Sequence, residues 1–407
     1  MARNGLGTYS LPAGQPVVTN TSISSTVFNT LTSDLATALT QSVCTDGQST
    51  MTGNLNLGTK KVTNMGDGSL TTDGCTYGQM TTATSGITTS LTTTFNALIP
   101  GQNILVNPDF YVAQRGTTYA LTTTAAYGSI DNWFALQASS AAGIFNQVAD
   151  SAGNGRIYVA KLGRNNAATN TGVITMGQAL ETDLSKRLAG KTVVFSIYAK
   201  AGANLSSTSN AITFSVKTGT GTDQSSASLS TGGWTGIATP VTSSPNVTTS
   251  WVRYSATGTI SSSATQIGVL ISYTPSGTAG ADDNLYIGDV QLEEVFNSNT
   301  SPTTFYRPLP EENLYRCKRY YQRFNASCQG YAYAGSIPFG INVMAQVPMR
   351  GTISPVQVST NLMFADSNVL TSTSSYVVNG DYIYAYRGAS VAGFTTFSEK
   401  FSSSNEL

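Results

Sequence analysis

The sequence predicts a mainly β protein that assembles as a trimeric fibre, and two observations lead to this prediction. Residues 1–100 hold two thin apolar helical stripes and a glycine-rich segment, none of which can bury a core within one chain. From residue 101 onward, short stretches of alternating apolar and polar residues recur between turns rich in Gly, Ser and Thr. Such a pattern is typical of a β-sandwich or jelly roll.

We expect four parts along the chain. They are an N-terminal arm (1–22), a short coiled-coil and β shaft (23–100), a jelly-roll β-sandwich (101–307), and a linker helix followed by a small C-terminal β domain (308–407). The arm is rich in Gly, Pro, Asn and Thr and has little helix potential. It is either a disordered tail or a docking peptide that orders on a partner.

The composition excludes several classes of function. The 407 residues carry 21 Lys and Arg against 21 Asp and Glu, so the basic footprint of a nucleic-acid-binding protein is absent. The chain has no histidine, which removes the Ser-His-Asp triad, the Cys-His dyad and histidine zinc sites. No apolar run reaches the length of a membrane span or a signal peptide. We therefore expect a soluble protein made in a cytosol, without membrane insertion.

The shaft begins with a predicted helix over residues 24–42. Phe28, Leu31, Leu35 and Ala38 follow one another at spacings of three, four and three, which places them on one narrow stripe. That stripe is too thin for a globular core but suits a short bundle of identical helices. The threonines lower the intrinsic helicity, so this helix should need partners.

Short strands and a second helix complete the shaft. The segment MTGNLNLGTKKVTNMGDG alternates apolar residues between glycines and predicts short strands over 51–78. Residues 79–98 then predict a helix that ends before Pro100. Its apolar stripe consists of Ile87, Leu91, Phe95 and Leu98. Parallel association of three chains is the expected way to cover both stripes.

Strand patterns dominate the rest of the chain. In KTVVFSIYAKA, residues 191–201, Val193, Phe195 and Ile197 alternate with Val194, Ser196 and Tyr198. Residues 308–326 contain a predicted amphipathic helix carrying Leu314, Cys317, Tyr321 and Phe324 on one face. The final strands include VVNGDYIYAY, whose Asn-Gly pair predicts a β-hairpin. The four cysteines (Cys44, Cys75, Cys317 and Cys328) match no CxxC spacing and predict free thiols.

Several of these segments resemble parts of bacteriophage tail fibres. MTGNLNLGTKKVTNMGDG followed by CTYGQM is similar to a shaft element of such fibres, and ARNGLGTYSLPAGQPVVTN resembles the N-terminal attachment region of fibres from short-tailed phages. NILVNPDFYVAQRGT, GQALET and IGDVQLEEV resemble a phage-fibre jelly roll that is similar to carbohydrate-binding modules, although Val112 and Ala113 stand where the family commonly has an aromatic residue. VPMRGTISPVQVS resembles the small domain that often follows it.

The resemblance implies a homotrimeric tail fibre that is located in the virion and assembled in the host cytoplasm. Its arm would bind a tail adaptor or nozzle protein, and it would attach non-covalently, without catalysis, to a bacterial surface polysaccharide or lipopolysaccharide. One alternative is a capsid head fibre or decoration protein of the same architecture. Another is a polysaccharide-degrading tailspike with paired acids, but adjacent acids on a strand point to opposite faces.

A sugar-binding jelly roll needs aromatic faces and a few polar groups for hydroxyls. Trp234, in the glycine-bounded turn STGGWTGIA, is the first candidate, followed by Tyr198 and by Trp133, whose surroundings also suit a core. Trp251 begins a strand and is expected in the core. The resemblance further implies a structural calcium near Asp109 and Asp289, with oxygen ligands that suit this ion.

Overall fold

The computed structural model describes residues 19–20, 22–40, 54, 57–98, 103–139, 142–150, 155–295, 300–332, 338–351, 355–360, 375–379, 382–388 and 393–407. These residues fall into two units, Met1–Gly86 and Ile87–Leu407. Most of the predicted arm therefore lies outside the described residues. Within the described ranges, none of the helices has the length and hydropathy needed to cross a bilayer.

Helix α1 (Ser25–Thr40) occupies most of the range predicted for the first shaft helix. Its start is fixed by Ser24, whose hydroxyl accepts a hydrogen bond from the Val27 amide at 3.2 Å, as an N-cap does. The hydroxyls of Thr30 and Thr37 donate to the carbonyls one turn earlier. This bonding lets threonines occupy the helix without leaving their hydroxyls unpaired.

Helix α2 (Tyr77–Leu98) starts two residues before the predicted position because a capping box precedes it. The Thr76 hydroxyl accepts from the Gln79 amide at 3.1 Å, and the Gln79 side chain accepts from the Thr76 amide at 3.0 Å. This reciprocal pair satisfies two backbone donors that a helix start otherwise leaves open. The Gln79 side chain also bonds both backbone groups of Gly68 and so ties the preceding loop to the helix.

The short strands predicted over 51–78 are not observed in the described part of that range, residues 54 and 57–76. A strand requires a neighbouring strand for its backbone hydrogen bonds. Here the backbone amides bond to side chains instead, with the Asp73 carboxylate accepting from Ser69 at 2.8 Å and Leu70 at 2.9 Å. Within one chain this segment is a series of turns.

The residues predicted to line the shaft differ in exposure. Phe28 is 54% exposed, Leu35 is 41% exposed and Ile87 is 66% exposed. Leu31 is half-buried. The side chains of Leu91 and Leu98 lie outside the described part of the chain. The apolar stripes of α1 and α2 therefore carry large apolar side chains that these helices do not cover themselves.

A β-sandwich forms the larger part of the second unit. Its ten strands are β1 (Phe134–Gln137), β2 (Gly143–Ala149), β3 (Tyr158–Arg164), β4 (Ile174–Ala179), β5 (Thr192–Ala201), β6 (Thr213–Gly219), β7 (Ala238–Ser243), β8 (Val252–Thr259), β9 (Gln266–Tyr273) and β10 (Asn284–Glu294). The first sheet has the order β1-β4-β9-β6-β7 and the second has the order β2-β3-β10-β5-β8. All strand pairs are antiparallel. The predicted β-sandwich is confirmed.

Both sheets contribute to one hydrophobic core. Val193, Phe195 and Ile197 of β5 point into it, as their alternation predicts, and Phe195 meets Phe214 of the opposite sheet edge-on at 5.6 Å. Short helices α3 (Thr182–Ser185) and α4 (Ser226–Thr231) and two 3-10 turns, Lys186–Leu188 and Thr208–Asn210, connect the strands. Because this core uses inward residues, the outward residues of the second sheet remain available for other contacts.

A buried arginine ties several loops to the end of the second sheet. Arg164 is 1% exposed, and its Nε donates to Asp283 Oδ2 at 2.7 Å. The two Nη atoms donate to the carbonyl oxygens of Asn170, Gly277 and Ser276 and to the Ser206 hydroxyl, at 2.8 to 3.0 Å. All five N–H groups of this guanidinium are therefore paired, which is the condition for burying its charge.

The rest of the second unit consists of a helix and six strands. They are α5 (Pro310–Lys318), β11 (Tyr321–Ala332), β12 (Pro338–Met344), β13 (Val356–Thr360), β14 (Ser375–Asn379), β15 (Tyr382–Gly388) and β16 (Gly393–Ser404). They form two three-stranded sheets, β11-β16-β13 and β12-β15-β14. Asn379 pairs with Tyr382, which confirms the predicted hairpin strands, whereas its loop lies outside the described residues.

The predicted amphipathic helix is shorter than the pattern suggested. It ends at Lys318, so Tyr321 and Phe324 are not on its face but in β11. The reason is strand pairing, because β11 pairs residue by residue with β16 from Tyr321 onward. Of the four cysteines, Cys75 and Cys317 are free, while Cys44 and the side chain of Cys328 lie outside the described residues.

The boundary predicted between residues 307 and 308 falls inside the second unit. Cys317 of α5 packs with Val106 and Val112 of the sandwich in one buried cluster. Arg319 forms an ion pair with Glu181 at 3.0 Å. The C-terminal region is therefore packed against the sandwich rather than joined to it by a bare linker.

We predict that Arg164→Lys destabilises the second unit by about 3–5 kcal/mol, because the single ammonium of lysine cannot replace the planar fork and leaves several of the carbonyls without donors. Denaturant unfolding followed by tryptophan fluorescence measures this loss. Arg187→Lys, at an exposed position, is the matched control and should stay within about 0.5 kcal/mol of the unmutated chain. A loss below about 1 kcal/mol for Arg164→Lys would show that the pairing is not structurally important.

A second prediction concerns Glu406, which accepts from the Asn132 amide at 3.1 Å and pairs with Arg115. Burial raises the pKa of its carboxyl above the ordinary value of 4.5; Arg115 opposes this shift and nearby Asp131 adds to it. The folded state then holds the proton more tightly than the unfolded state. The stabilisation from this group is present below pH 4.5 and is lost as the pH rises through the raised pKa.

The melting-temperature advantage of the unmutated chain over Glu406→Gln should accordingly be larger at pH 4.5 than at neutral pH. Thermal unfolding at the two pH values measures this difference. Glu311→Gln, at an exposed position of α5, should leave the pH dependence as it is. An advantage that grows toward neutral pH would contradict the direction of the shift.

Candidate functional site

A row of partly exposed side chains crosses the outer face of the second sheet. Asn146 of β2 pairs with Lys161 of β3, and Lys161 pairs with Tyr286 of β10. Tyr286 pairs in turn with Lys200 of β5. Ala199 pairs with Val252, which places Trp251, the preceding residue, beside Lys200. We call Asn146, Lys161, Tyr286, Lys200 and Trp251 the cross-strand row.

The same alternation that builds the core places the row outside. In β10, Leu285 and Ile287 point into the core, so Tyr286 between them points outward. In β5, Ile197 and Ala199 point inward, so Tyr198 and Lys200 point outward. Tyr198 is the next outward residue of β5 before Lys200, two residues earlier in the chain, and it lies at the border of the row.

Cations and aromatic rings meet on this face. The Lys200 ammonium lies 5.2 Å from the centre of the Trp251 ring and 5.0 Å from that of Tyr286. The Arg156 guanidinium lies 4.3 Å from the centre of the Trp251 ring and 5.0 Å from that of Tyr198. These distances are within the range of cation–π attraction, which helps to hold the three rings in place on the sheet.

A glycine and a bulge make room for Arg156. β10 changes register between Gly288 and Gln291, and Asp289 in the bulge has a φ of 47°. A Cβ atom at Gly288 would lie 2.8 Å from Cδ of Arg156, so a side chain there would displace the arginine. Arg156 also donates to Asp150 at 2.9 Å and to Asp289 at 3.3 Å.

Asp282 supports the row from its edge. Its Oδ1 accepts from Asn284 Nδ2 at 2.8 Å and from the Tyr286 hydroxyl at 2.9 Å, and its Oδ2 accepts from the Ala203 amide at 3.1 Å. Partial burial alone would raise its pKa, but these hydrogen bonds hold the pKa below the ordinary value. Burial and the bond to Asp282 raise the pKa of Tyr286 to about 12, so its hydroxyl stays a donor.

Some hydrogen-bonding groups of this face have no protein partner. Nε1 of Trp251 and Nη2 of Arg156 are buried N–H donors without an acceptor, and Oδ1 of Asn284 is a buried acceptor without a donor. Groups of this kind cost about 1–3 kcal/mol each when they are left unpaired. All three atoms are covered by protein, so they do not reach a ligand themselves, and the partly exposed groups of this face are its rings and lysines.

The other end of the face is covered by the chain itself. The carbonyl of Thr303 accepts from Arg253 at 2.7 Å, and its amide donates to Glu293 at 2.7 Å. Arg307 then pairs with Asp289 at 2.8 Å. This segment covers the region around Ser196 and Gln291, so the open part of the face is centred on the cross-strand row.

Two predicted sugar contacts are buried and need correction. Trp133 is 0% exposed; its Nε1 donates to the Asn107 carbonyl at 3.0 Å, and its ring meets Phe110 edge-on at 5.2 Å. Trp234 is 3% exposed and packs with Phe134 and Leu229 on the first sheet. Neither ring has a face free for a sugar, because each is part of a hydrophobic cluster.

Tyr198 does lie on the outer face, together with Trp251, which the sequence had placed in the core. Lys161, Lys200 and Tyr286 were missed as site residues. Each stands at an outward position of a strand in which apolar and polar residues alternate. This alternation was the signal in the sequence that could have identified them as surface residues. The sequence does not show that these three strands are neighbours.

The predicted calcium pair is also corrected. Both carboxylate oxygens of Asp289 lie 2.8 Å from Nη2 of Arg307. Asp109 accepts from Asn313 Nδ2 at 2.6 Å, and burial raises the pKa of its carboxyl. Within the described residues, no group of three or more Cys, Asp or Glu side chains could hold a metal. Asp289 is neutralised by arginines, and this arrangement does not fit a calcium site.

Comparison with known proteins gave structural similarities only. No protein-family model and no curated protein matches the sequence. Among solved structures, the CBM22-1 xylan-binding domain of Paenibacillus barcinonensis Xyn10C matches with a TM-score of 0.30 and 17% identity, covering 50% of this chain and 100% of that one. The C-terminal family 22 carbohydrate-binding module of Clostridium thermocellum Xyn10B has a TM-score of 0.26 and 19% identity, covering 47% and 99%.

TmCBM61, solved with β-1,4-galactotriose, has a TM-score of 0.28 and 12% identity and covers 48% of this chain and 99% of that one. With TM-scores of 0.30 or less, these similarities do not bear on function. The role of the chain has to follow from its own residues.

Proposed function

We propose that this chain is a homotrimeric bacteriophage tail fibre that binds a bacterial surface polysaccharide or lipopolysaccharide without cleaving it. The observation that carries the proposal is the cross-strand row, in which two partly exposed aromatic rings alternate with lysines on an open sheet face. In this proposal the chain is located in the virion and is assembled in the host cytoplasm.

The chemistry of the row suits a sugar. The rings of Trp251 and Tyr286 offer apolar surface to a pyranose, and the Lys200 ammonium between them offers hydrogen-bond donors to sugar hydroxyls. A sheet face that is open at its edges accommodates a polymer better than a closed pocket would. Three copies in one fibre would raise the avidity of a weak single site.

The fibre part of the proposal is supported by the first unit and by the sequence motifs. Phe28 and Leu35 expose large apolar surface on one stripe of α1, as expected for a helix covered by its own copies. The arm and shaft motifs resemble those of tail fibres, and the arm would bind a tail adaptor or nozzle protein. The neutral, low-charge composition supports a chain without a nucleic-acid partner.

The proposal that the chain is not an enzyme is supported by how its paired acids are used. Asp283 forms an ion pair with buried Arg164, whereas Asp282 accepts a hydrogen bond from Tyr286 on the outer face. The two carboxylates therefore do not share a cleft. Glu293 is buried against Thr303, and Glu294 pairs with Lys191 at 2.9 Å. Glycoside hydrolysis needs two carboxyl groups facing one bond.

For the trimer, light scattering of the full chain should give a mass three times the 42.6 kDa of one chain. The double variant Phe28→Asp, Leu35→Asp should lower this mass because it places charges in the apolar stripe. Ser33→Asp, on the opposite side of α1, is the matched control and should leave the mass unchanged. A mass of one chain for the unmutated protein would contradict the trimer.

For glycan binding, Trp251→Ala and Tyr286→Ala should each weaken binding of the full chain to host polysaccharide by about tenfold or more, equivalent to about 1.4 kcal/mol. Biolayer interferometry on purified host capsule and lipopolysaccharide measures this change. Tyr315→Ala, at an exposed tyrosine of α5, is the control and should bind as the unmutated chain does.

Two outcomes would contradict this proposal. The first is the absence of binding to any host polysaccharide by the full chain. The second is a steady release of new reducing ends from the polysaccharide, which would indicate a hydrolase.

A further inference from the structure

We infer that the cross-strand row recognises an acidic glycan, in which carboxylate or phosphate groups of the polymer contact Lys161 and Lys200. This inference rests on the proposed glycan binding and adds the chemical class of the sugar. It follows from how the charged groups on this face are used.

The two lysines form no ion pair on this face. In the ranges that the structure covers, neither ammonium has a carboxylate within 4.0 Å, and neither donates a hydrogen bond to a protein acceptor. The Lys200 ammonium instead lies over the rings of Trp251 and Tyr286. Cation–π attraction leaves the N–H groups of an ammonium able to bind an anion from outside.

Asp282, the acid at the edge of the row, is already occupied. Asp282 accepts hydrogen bonds from Asn284, Tyr286 and Ala203, and these bonds use both of its oxygens. Lys161 is close enough to lower its pKa further but does not pair with it. The hydrogen-bonding capacity that remains open next to the rings is therefore mainly that of cationic donors, which favours a negatively charged partner.

The spacing of the lysines suits a chain with repeated charges. Lys161 and Lys200 stand one strand to either side of Tyr286, in register with it. Neighbouring strands lie about 5 Å apart, so the two backbone positions are separated by ~10 Å. Two charges along one acidic polymer could then contact the two lysines while a sugar ring between them meets Tyr286.

General attraction of polyanions is not expected, because the chain as a whole has a net charge of zero.

A lysine on the outer face of the other sheet provides a comparison. Lys217 of β6 points outward but donates to the Thr239 hydroxyl at 2.7 Å. It is therefore a suitable control for the lysines of the row.

The test compares matched polymers that differ only in charge. The full chain is titrated with polygalacturonate and its fully methyl-esterified form, and with a phosphomannan and the same mannan after removal of phosphate. We expect binding to at least one acidic polymer and binding about tenfold weaker or more to its neutral form. The first pair reports a carboxylate and the second reports a phosphate. Affinity for the acidic form should fall as salt increases.

Variants assign the effect to the row. The double variant Lys161→Gln, Lys200→Gln should lose about tenfold or more in affinity for the acidic polymer and bind its neutral form as before. Lys217→Gln should behave as the unmutated chain does. Circular dichroism melting confirms that each variant is folded.

The outcomes separate this inference from the proposed function. Equal binding of the acidic and neutral forms, lost in Trp251→Ala but kept in the double lysine variant, would overturn the acidic preference and leave glycan binding in place. Binding to neither pair, together with no binding to host polysaccharide, would overturn both. Acid-selective binding that the double lysine variant retains would overturn the assignment to Lys161 and Lys200.

Discussion

The ion pair between Arg164 and Asp283 is the interaction on which the outer face of the second sheet depends. It is buried on both sides and fixes the residue directly before β10 to the end of β3. Asp282, the neighbour of Asp283, is thereby held at the edge of the sheet, where it orients the Tyr286 hydroxyl. An arginine suits this position because its five N–H groups reach acceptors from three separate loops. A fully paired guanidinium can be buried there without leaving a polar group unsatisfied.

The second constraint is the bulge of β10. It places Asp289 within 3.3 Å of Arg156. The adjacent Gly288 has no side chain to obstruct the arginine, which can therefore lie across the sheet and reach Trp251. The arrangement has a cost, because Nη2 of Arg156 and Nε1 of Trp251 remain without acceptors. On the first sheet, by contrast, part of the outer face is covered by α4 and by the buried Trp234. Unpaired buried groups also occur at Asn132, Ser207 and Asn313, so their presence does not by itself mark this face as functional.

Strand alternation let the sequence predict the sandwich and the inward face of β5, because period two is a local property. The capping box at Thr76 and Gln79 was equally visible and gives the true start of α2. The glycines that flank Trp234 predict an exposed turn, but the structure buries this residue. Ser225, nine residues earlier, caps α4. Its carbonyl accepts a hydrogen bond from the Trp234 indole, and this bond holds the ring against the first sheet. The cross-strand row could not be predicted, since strand order and register bring together Lys161, Lys200 and Tyr286 from distant parts of the chain.

The two units differ in how completely they bury their own apolar side chains. The sandwich closes its core with residues from both of its own sheets, so the cross-strand row is complete within one chain. In the first unit, by contrast, Phe28 and Leu35 keep large apolar surfaces exposed. In the proposed trimer, association would therefore multiply a site that already exists and would not be needed to build it. A single row that binds weakly is compatible with tight attachment of the particle, because linked copies rebind at a high effective concentration. In that trimer, the affinity of one row and the stability of the assembly would be separate properties, because the row includes no residue of the apolar stripes of α1 and α2.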